Sequence, residues 1–176
     1  HTPPPPAHRL VGGGARGGGP ARPPPPPGRM AIAADPAGAV FGIWQAAAHT
    51  GTAVAGAHGT PVWNELITRE TSSVGKFYAA LFGYDLEAVV SADLDFLTLR
   101  LRGRPVASLH GVGRALTRER GAHWMTHFEV ADTDAAARLV TELGGQVLQQ
   151  PREGVNGRYA TVADPEGAVF TIVRSA

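Results

Sequence analysis

Cysteine is absent from the 176 residues, which excludes a disulfide framework and a thiolate metal site and leaves a cytoplasmic compartment as the expectation. An excess of charge is missing too. The 16 basic and 15 acidic residues leave a net charge of +1, and the basic ones are scattered, so neither nucleic acid nor a strongly acidic partner is expected. No apolar run approaches the ~20 residues of a membrane span, so no membrane partner is expected. No basic-then-apolar stretch opens the chain. The first methionine, Met30, follows a start at His1, which reads as a fragment, a processed chain or an odd gene model. The glycines at 12 to 19 precede no strand-and-helix pattern, which removes a phosphate loop. No serine sits in an elbow context, and no basic patch carries interleaved aromatics.

What is present begins with a repeat. Gly157 to Val173 reads GRYATVADPEGAVFTIV, and Gly28 to Trp44 reads GRMAIAADPAGAVFGIW, with 11 of 17 positions identical and no gap. Each is a β-hairpin pattern: an apolar run, an Asp-Pro-x-Gly turn and a second apolar run. Proline fits the second position of a type I turn and glycine the fourth.

Taken in order, residues 1–29 carry two proline runs and two glycine runs. With almost nothing apolar to bury, they are expected to be a disordered or polyproline II tail. Residues 30–45 are the first hairpin copy, without the rest of a module. The small, glycine-rich residues 46–60 read as a linker. An ordered domain is expected over 61–176. Its elements are a strand at 62–68, a helix at 71–82, strands at 96–101 and 106–109 joined by a turn at Gly103-Arg104-Pro105, and a polar connector over 111–121. A strand at 124–130, a helix at 134–143 with Ala136, Leu139, Val140 and Leu143 on one face, a short strand at 146–149 and the second hairpin follow. Trp63 to Leu86 lies over Met125 to Leu148 at an offset of 62 without a gap. Residues 61–110 and 122–176 are thus two βαβββ modules. The fold class is α+β: the modules pair into one domain, with a curved mixed sheet around a cleft.

At WNELITRETSSVGKFYAALFGY, THFEVADTDAAARLV and ADPEGAVFTIV the sequence resembles the vicinal oxygen chelate superfamily, which includes glyoxalase I, extradiol dioxygenases and bleomycin-resistance proteins. Within it, the chain looks most like actinobacterial tandem-domain glyoxalase-like proteins. Residues 28–45 match only the end of a preceding domain. The resemblance implies sheets curved round a cleft where the family's enzymes hold one divalent metal on His or Glu side chains from the first and last strands. The corresponding positions here are Trp63, Met125 and Thr171, with the fourth somewhere in 107–110. An indole, a thioether and a hydroxyl are poor donors for such an ion. No metal and no cofactor are therefore expected.

Strand alternation then puts Trp63, Glu65, Met125, His127, Glu129 and Thr171 on the cleft face, with Phe96 nearby, and Leu66, Phe128, Phe170 and Ile172 on the opposite face under the helices. Glu65 and His127 are equivalent under the 62-residue repeat and are expected to face each other. They are the catalytic candidates as an acid–base pair, or else a buried hydrogen-bonded pair closing the cleft floor. His110 and His123 read as surface histidines, and Trp124 as packing beside a helix or in an interface. The expected function is metal-independent binding of a small apolar or aromatic molecule in the cleft, for sequestration or an accessory natural-product step. The alternative is a lyase, isomerase or dioxygenase with a rearranged metal site of His110, His127 and Glu129 or Glu65. A homodimer is an open option, and the orphan hairpin is expected to pack on the complete domain or on a second chain.

Overall fold

The computed structural model describes residues 26–89, 91, 94–154 and 156–176. Most of the expected tail, residues 1–25, lies outside them. The first module runs β3 (Pro61–Thr68), α1 (Ser72–Phe82), β4 (Asp85–Ala88), β5 (Asp95–Leu101) and β6 (Arg104–Gly111). The second runs β7 (His123–Glu129), α2 (Thr133–Glu142), β8 (Gln146–Gly154), β9 (Gly157–Ala163) and β10 (Val169–Ser175). The repeated hairpin, β1 (Gly28–Ala34) and β2 (Val40–Ala46), precedes them.

The eight module strands form one sheet in the order β4-β5-β6-β3-β7-β10-β9-β8, curved but not closed into a barrel. β3 and β7 pair antiparallel at its centre. Each then pairs in parallel with the last strand of its own module, β3 with β6 and β7 with β10. The α+β expectation and the two-module sheet hold.

Each helix forms where apolar residues recur at helical spacing and a polar residue can cap the start. Thr71 precedes α1, and its N–H and hydroxyl both donate to the Asp95 carboxylate, at 3.0 and 2.5 Å. The start of the helix is thereby tied to β5. Gly83 ends it at φ 71°, donating to the Ala79 carbonyl. This left-handed stop favours glycine. Asp132 caps α2, accepting from the Ala135 N–H at 2.9 Å. The two helices cover one face of the sheet in two patches. One holds Leu66, Val74, Tyr78, Leu99 and Leu109. The other holds Val130, Ala137, Ala160, Val162 and Ile172.

Three details differ from the pattern. Arg104 and Pro105 belong to β6, and the turn is Arg102-Gly103. The ladder has a bulge between Leu99 and Arg100, which accommodates a proline that cannot donate. β8 is longer than expected because it follows β9 through two register shifts. On α2, Ala136, Ala137 and Val140 pack on the sheet, whereas Leu139 and Leu143 stay exposed. Leu139 lies roughly a quarter turn off that stripe, and Leu143 lies past the helix end.

The orphan hairpin docks on the first module. Asp35 Oδ1 accepts the Ala37 and Ala39 N–H groups within its own turn. Its Oδ2 accepts from the Tyr78 hydroxyl of α1 at 3.1 Å. That hydroxyl accepts in turn from Trp124 Nε1 of β7 at 3.0 Å. Burial pushes the Tyr78 hydroxyl well above the usual tyrosine range, so it remains a donor to Asp35. Phe41 of β2 meets the rings of Phe77, Tyr78 and Phe82 edge-on. The hairpin, one helix and the central sheet therefore share a single aromatic cluster. Met30, Ile32 and Val40 remain exposed on the hairpin.

Candidate functional site

The face of the sheet away from the helices carries the candidate residues. Their order follows from the ladder. β3 pairs with β7 so that Trp63 lies opposite His127, Asn64 opposite Thr126 and Glu65 opposite Met125. Asn64 and Thr126 are the equivalents under the 62-residue repeat, and the Thr126 hydroxyl donates to Asn64 Oδ1 at 3.0 Å. The pseudo-twofold axis thus passes between them. Glu65 and His127, expected to face each other, instead stand one step off the axis on opposite sides, diagonal across the concave face. The physical reason is the antiparallel register: only the pair on the axis can oppose its own counterpart, and each later pair is displaced in opposite directions.

The parallel ladders identify the fourth family position. Glu65 pairs with Ser108 as His127 pairs with Thr171, so Ser108 is the counterpart of Thr171. The four positions that the resemblance implies for metal ligands are thus Trp63, Ser108, Met125 and Thr171. Their side chains are engaged in other ways. Trp63 Nε1 donates to Ser108 Oγ at 2.9 Å, and Ser108 Oγ donates to Glu65 Oε2 at 3.1 Å. Ser108, Met125 and Thr171 are all buried. An indole N–H aimed at the hydroxyl, a thioether and a threonine do not make the oxygen or imidazole cage that a hard or borderline divalent ion needs. The donor set does not fit that ion. Among the described residues, no group of three or more His, Asp or Glu side chains is placed to hold one elsewhere.

The titratable groups of the face cluster around Glu65. His110, at the end of β6, was expected at the surface. Its Nδ1 instead lies 3.4 Å from Glu65 Oε1, because Ile67 pairs with His110 and brings it onto the same face. Phe96 of β5 pairs with His110, and their rings meet at 5.7 Å. His123 is also half-buried rather than free at the surface. Its Nδ1 bonds the Gly121 carbonyl at 2.8 Å, and its Nε2 is buried with no hydrogen-bond partner among the described residues. Glu129 is turned to the end of β10, accepting from the Ser175 N–H at 3.0 Å and its hydroxyl at 2.6 Å. It therefore does not join Glu65 and His127. Trp124 packs against Tyr78 on the helix side.

Burial alone would raise the Glu65 carboxyl, but His110, His127 and Ser108 outweigh it and hold it below its ordinary 4.5. Burial pushes the His127 imidazole below its ordinary 6.5 against the pull of Glu65, so His127 is neutral at pH 7. In each case the unfolded chain takes up the proton first as pH falls. The stability is complete above 6.5, starts to fall as the unfolded histidine titrates, and falls further below 4.5 as the carboxylate does. The melting temperature is therefore expected to drop from pH 6.5 to 4, with a shallower drop in a Glu65→Gln, His127→Gln double variant. Equal slopes in wild type and variant would refute the assignment.

Two pockets lie away from this face. One of 590 Å³ runs along α2 and β8, lined by Asp134, Arg138, Gln146 and Gln150 among others. The other, of 340 Å³, lies between the hairpin turn and the start of α1. Neither pocket includes Trp63, Glu65 or His127.

The fold agrees with what comparison with known proteins finds. The family model of the glyoxalase-like domain matches residues 64–173. The chain belongs to the glyoxalase-like domain family. A putative glyoxylase, CFP32, of Mycobacterium tuberculosis (strain CDC 1551 / Oshkosh) is 33% identical over 156 residues, covering 85% of this chain and 57% of that protein. The anthracycline biosynthesis protein DauV of Streptomyces sp. (strain C5) is 37% identical over 157 residues, covering 83% and 52%. The chain thus spans about half the length of the curated relatives it matches. Among solved structures, a Streptomyces coelicolor methylmalonyl-CoA epimerase variant aligns at a TM-score of 0.52 and 23% identity, over 68% of this chain and 96% of that one. This likeness is one of fold. No described helix of this glyoxalase-like chain is long and apolar enough to cross a membrane.

Proposed function

We propose that this glyoxalase-like domain binds a small apolar or aromatic molecule on its concave face without a metal ion. The observation that carries the reading is the content of the four ligand positions: Trp63, Ser108, Met125 and Thr171, two of them tied by the 2.9 Å indole–hydroxyl bond. That bond holds the indole in one orientation. An oriented indole offers a flat apolar surface. The likeness to a protein named for anthracycline biosynthesis supports an aromatic ligand and an accessory role in making such a molecule, or in sequestering it. Glu65 and His127 line the same face and orient the ligand.

The test is a titration of planar polycyclic aromatics followed by tryptophan fluorescence. Saturable quenching is expected, with affinity about tenfold weaker in Trp63→Ala, the loss of roughly 1.4 kcal/mol of contact. The reading falls if no planar aromatic binds saturably. It also falls if freshly purified protein holds stoichiometric Fe, Mn, Ni or Zn that is lost in His127→Ala.

A further inference from the structure

We infer that the ligand of the concave face carries a cationic hydrogen-bond donor, such as a protonated amine, which seats on the Glu65 carboxylate beside the Trp63 ring. The inference rests on the binding reading above and narrows the class of molecule bound.

Glu65 stands near the middle of the sheet, with its side chain only 17% exposed. A carboxylate offers about four acceptor directions. The structure fills one with the Ser108 hydroxyl and brings His110 to 3.4 Å of the other oxygen. Among the described residues, no lysine or arginine pairs with Glu65. The salt bridges made by arginine are Arg100 to Glu87 and Arg158 to Asp134 and Glu153. Arg152 sits over the Tyr159 ring of β9, three strands from β3 and so roughly 14 Å away. The second carboxylate of the face, Glu129, is satisfied by Ser175. His127 is held neutral by burial.

A half-buried carboxylate whose near partners are a hydroxyl and an imidazole, with no lysine or arginine beside it, gains when a fully charged cation arrives. Glu65 is also already in position. The Trp63–Ser108–Glu65 chain fixes the carboxylate and the indole relative to each other, so a ligand with a planar body and a cationic arm would meet both without reordering them. An anionic ligand would meet the carboxylate at close range and be rejected.

The experiment uses three planar tricyclic aromatics with one ring system: one with an aminoalkyl arm, the same compound N-acetylated, and one with a carboxyalkyl arm. Each is titrated into the full chain by calorimetry at low and moderate salt. The amine is expected to bind about tenfold or more tighter than its acetylated form, as a charge-assisted hydrogen bond would give. Its affinity, and not that of the acetylated form, should weaken with salt. In Glu65→Gln the ratio of the two affinities should shrink to about twofold, with the melting temperature measured alongside to establish folding. If the acetylated or carboxylate compound binds as well as the amine, the ionic inference is overturned while the binding reading stands. If none of the three binds, both fall.

Discussion

Replacing Tyr78 by alanine is expected to lower the unfolding free energy by about 3–5 kcal/mol, in the range for deleting a buried aromatic side chain, and to release the β1–β2 hairpin. Tyr78 is 2% exposed. Its ring stands at the junction of Phe41, Phe77, Phe82 and Trp124. Its hydroxyl links the buried Asp35 side chain to Trp124 Nε1. Alanine would open a cavity and leave both groups without that partner. Tyr78→Phe separates the two contributions. It keeps the ring and removes the hydroxyl, so about 1–3 kcal/mol is expected, the range for a buried polar group left unsatisfied. Urea denaturation gives the energies. Limited proteolysis between β2 and β3 reports hairpin release, which should be fast in Tyr78→Ala and slow in wild type. Removing residues 1–58 should likewise lower the melting temperature. If the truncated chain melts as the full chain does, the hairpin contributes nothing to the domain.

Gly157→Ala is expected to cost about 2–5 kcal/mol, combining the strain of a disfavoured backbone region with a forced shift in a packed sheet. Gly157 opens β9 at φ 124° and is buried. A Cβ there would run into the Arg174 carbonyl oxygen, with the Ala176 N–H 3.0 Å away. Both are backbone groups of the paired strand end, so neither can swing aside as a side-chain tip could. The ladder between Gly157 and Ser175 would have to open, loosening β10, which carries Thr171. Gly167→Ala, in the open turn of the same hairpin at φ 90° with nothing within 4 Å of a new Cβ, isolates the backbone strain and should cost about 1–3 kcal/mol. Thermal or denaturant unfolding of the two variants side by side decides it. Equal losses would mean that the close approach at Gly157 has no energetic weight.

Much of the architecture was legible because it depends on short-range regularities. The hairpin signature Asp-Pro-x-Gly, the helical spacing of Val74, Phe77 and Tyr78, and alternation along Glu65, Leu66 and Ile67 are properties of neighbouring residues. The 62-residue offset carried the module through. The face assignment also followed, since Leu66, Phe170 and Ile172 do lie with the helices. Alternation reached less far at the sheet's outer parts. The length of β8 and the place of Pro105 depend on bulges, which are set by the partner strand.

The site was legible in its members more than in its connections. Trp63, Met125 and Thr171 could be placed by counting from the strand start and the turn. The fourth position could not be counted, because the length of the β4–β5 region sets where β6 begins, and only the Glu65–Ser108 ladder assigns it. His110 looked like a strand-end surface residue. A register that puts His110 beside Ile67 brings it to Glu65, and the parallel ladder at the end of β3 is what imposes that register. A count of 62 back from Thr171 reaches Leu109 on β6, one residue past Ser108, so it finds the strand and not the position.

By itself, the sequence determined the two-module fold and the face on which its strand residues stand, and its motifs pointed to the family. These follow from residue identity and from periodicities of 2.0 and 3.6 that local sterics impose. The tertiary structure alone decided three things. It decided that Glu65 and His127 are diagonal across the axis, that Trp63, Ser108 and Glu65 form one hydrogen-bonded chain, and that the orphan hairpin is latched through Asp35 and Tyr78. Each depends on which residues, 43 to 62 positions apart, the strand registers and helix packing bring within hydrogen-bond reach. No local pattern encodes that distance.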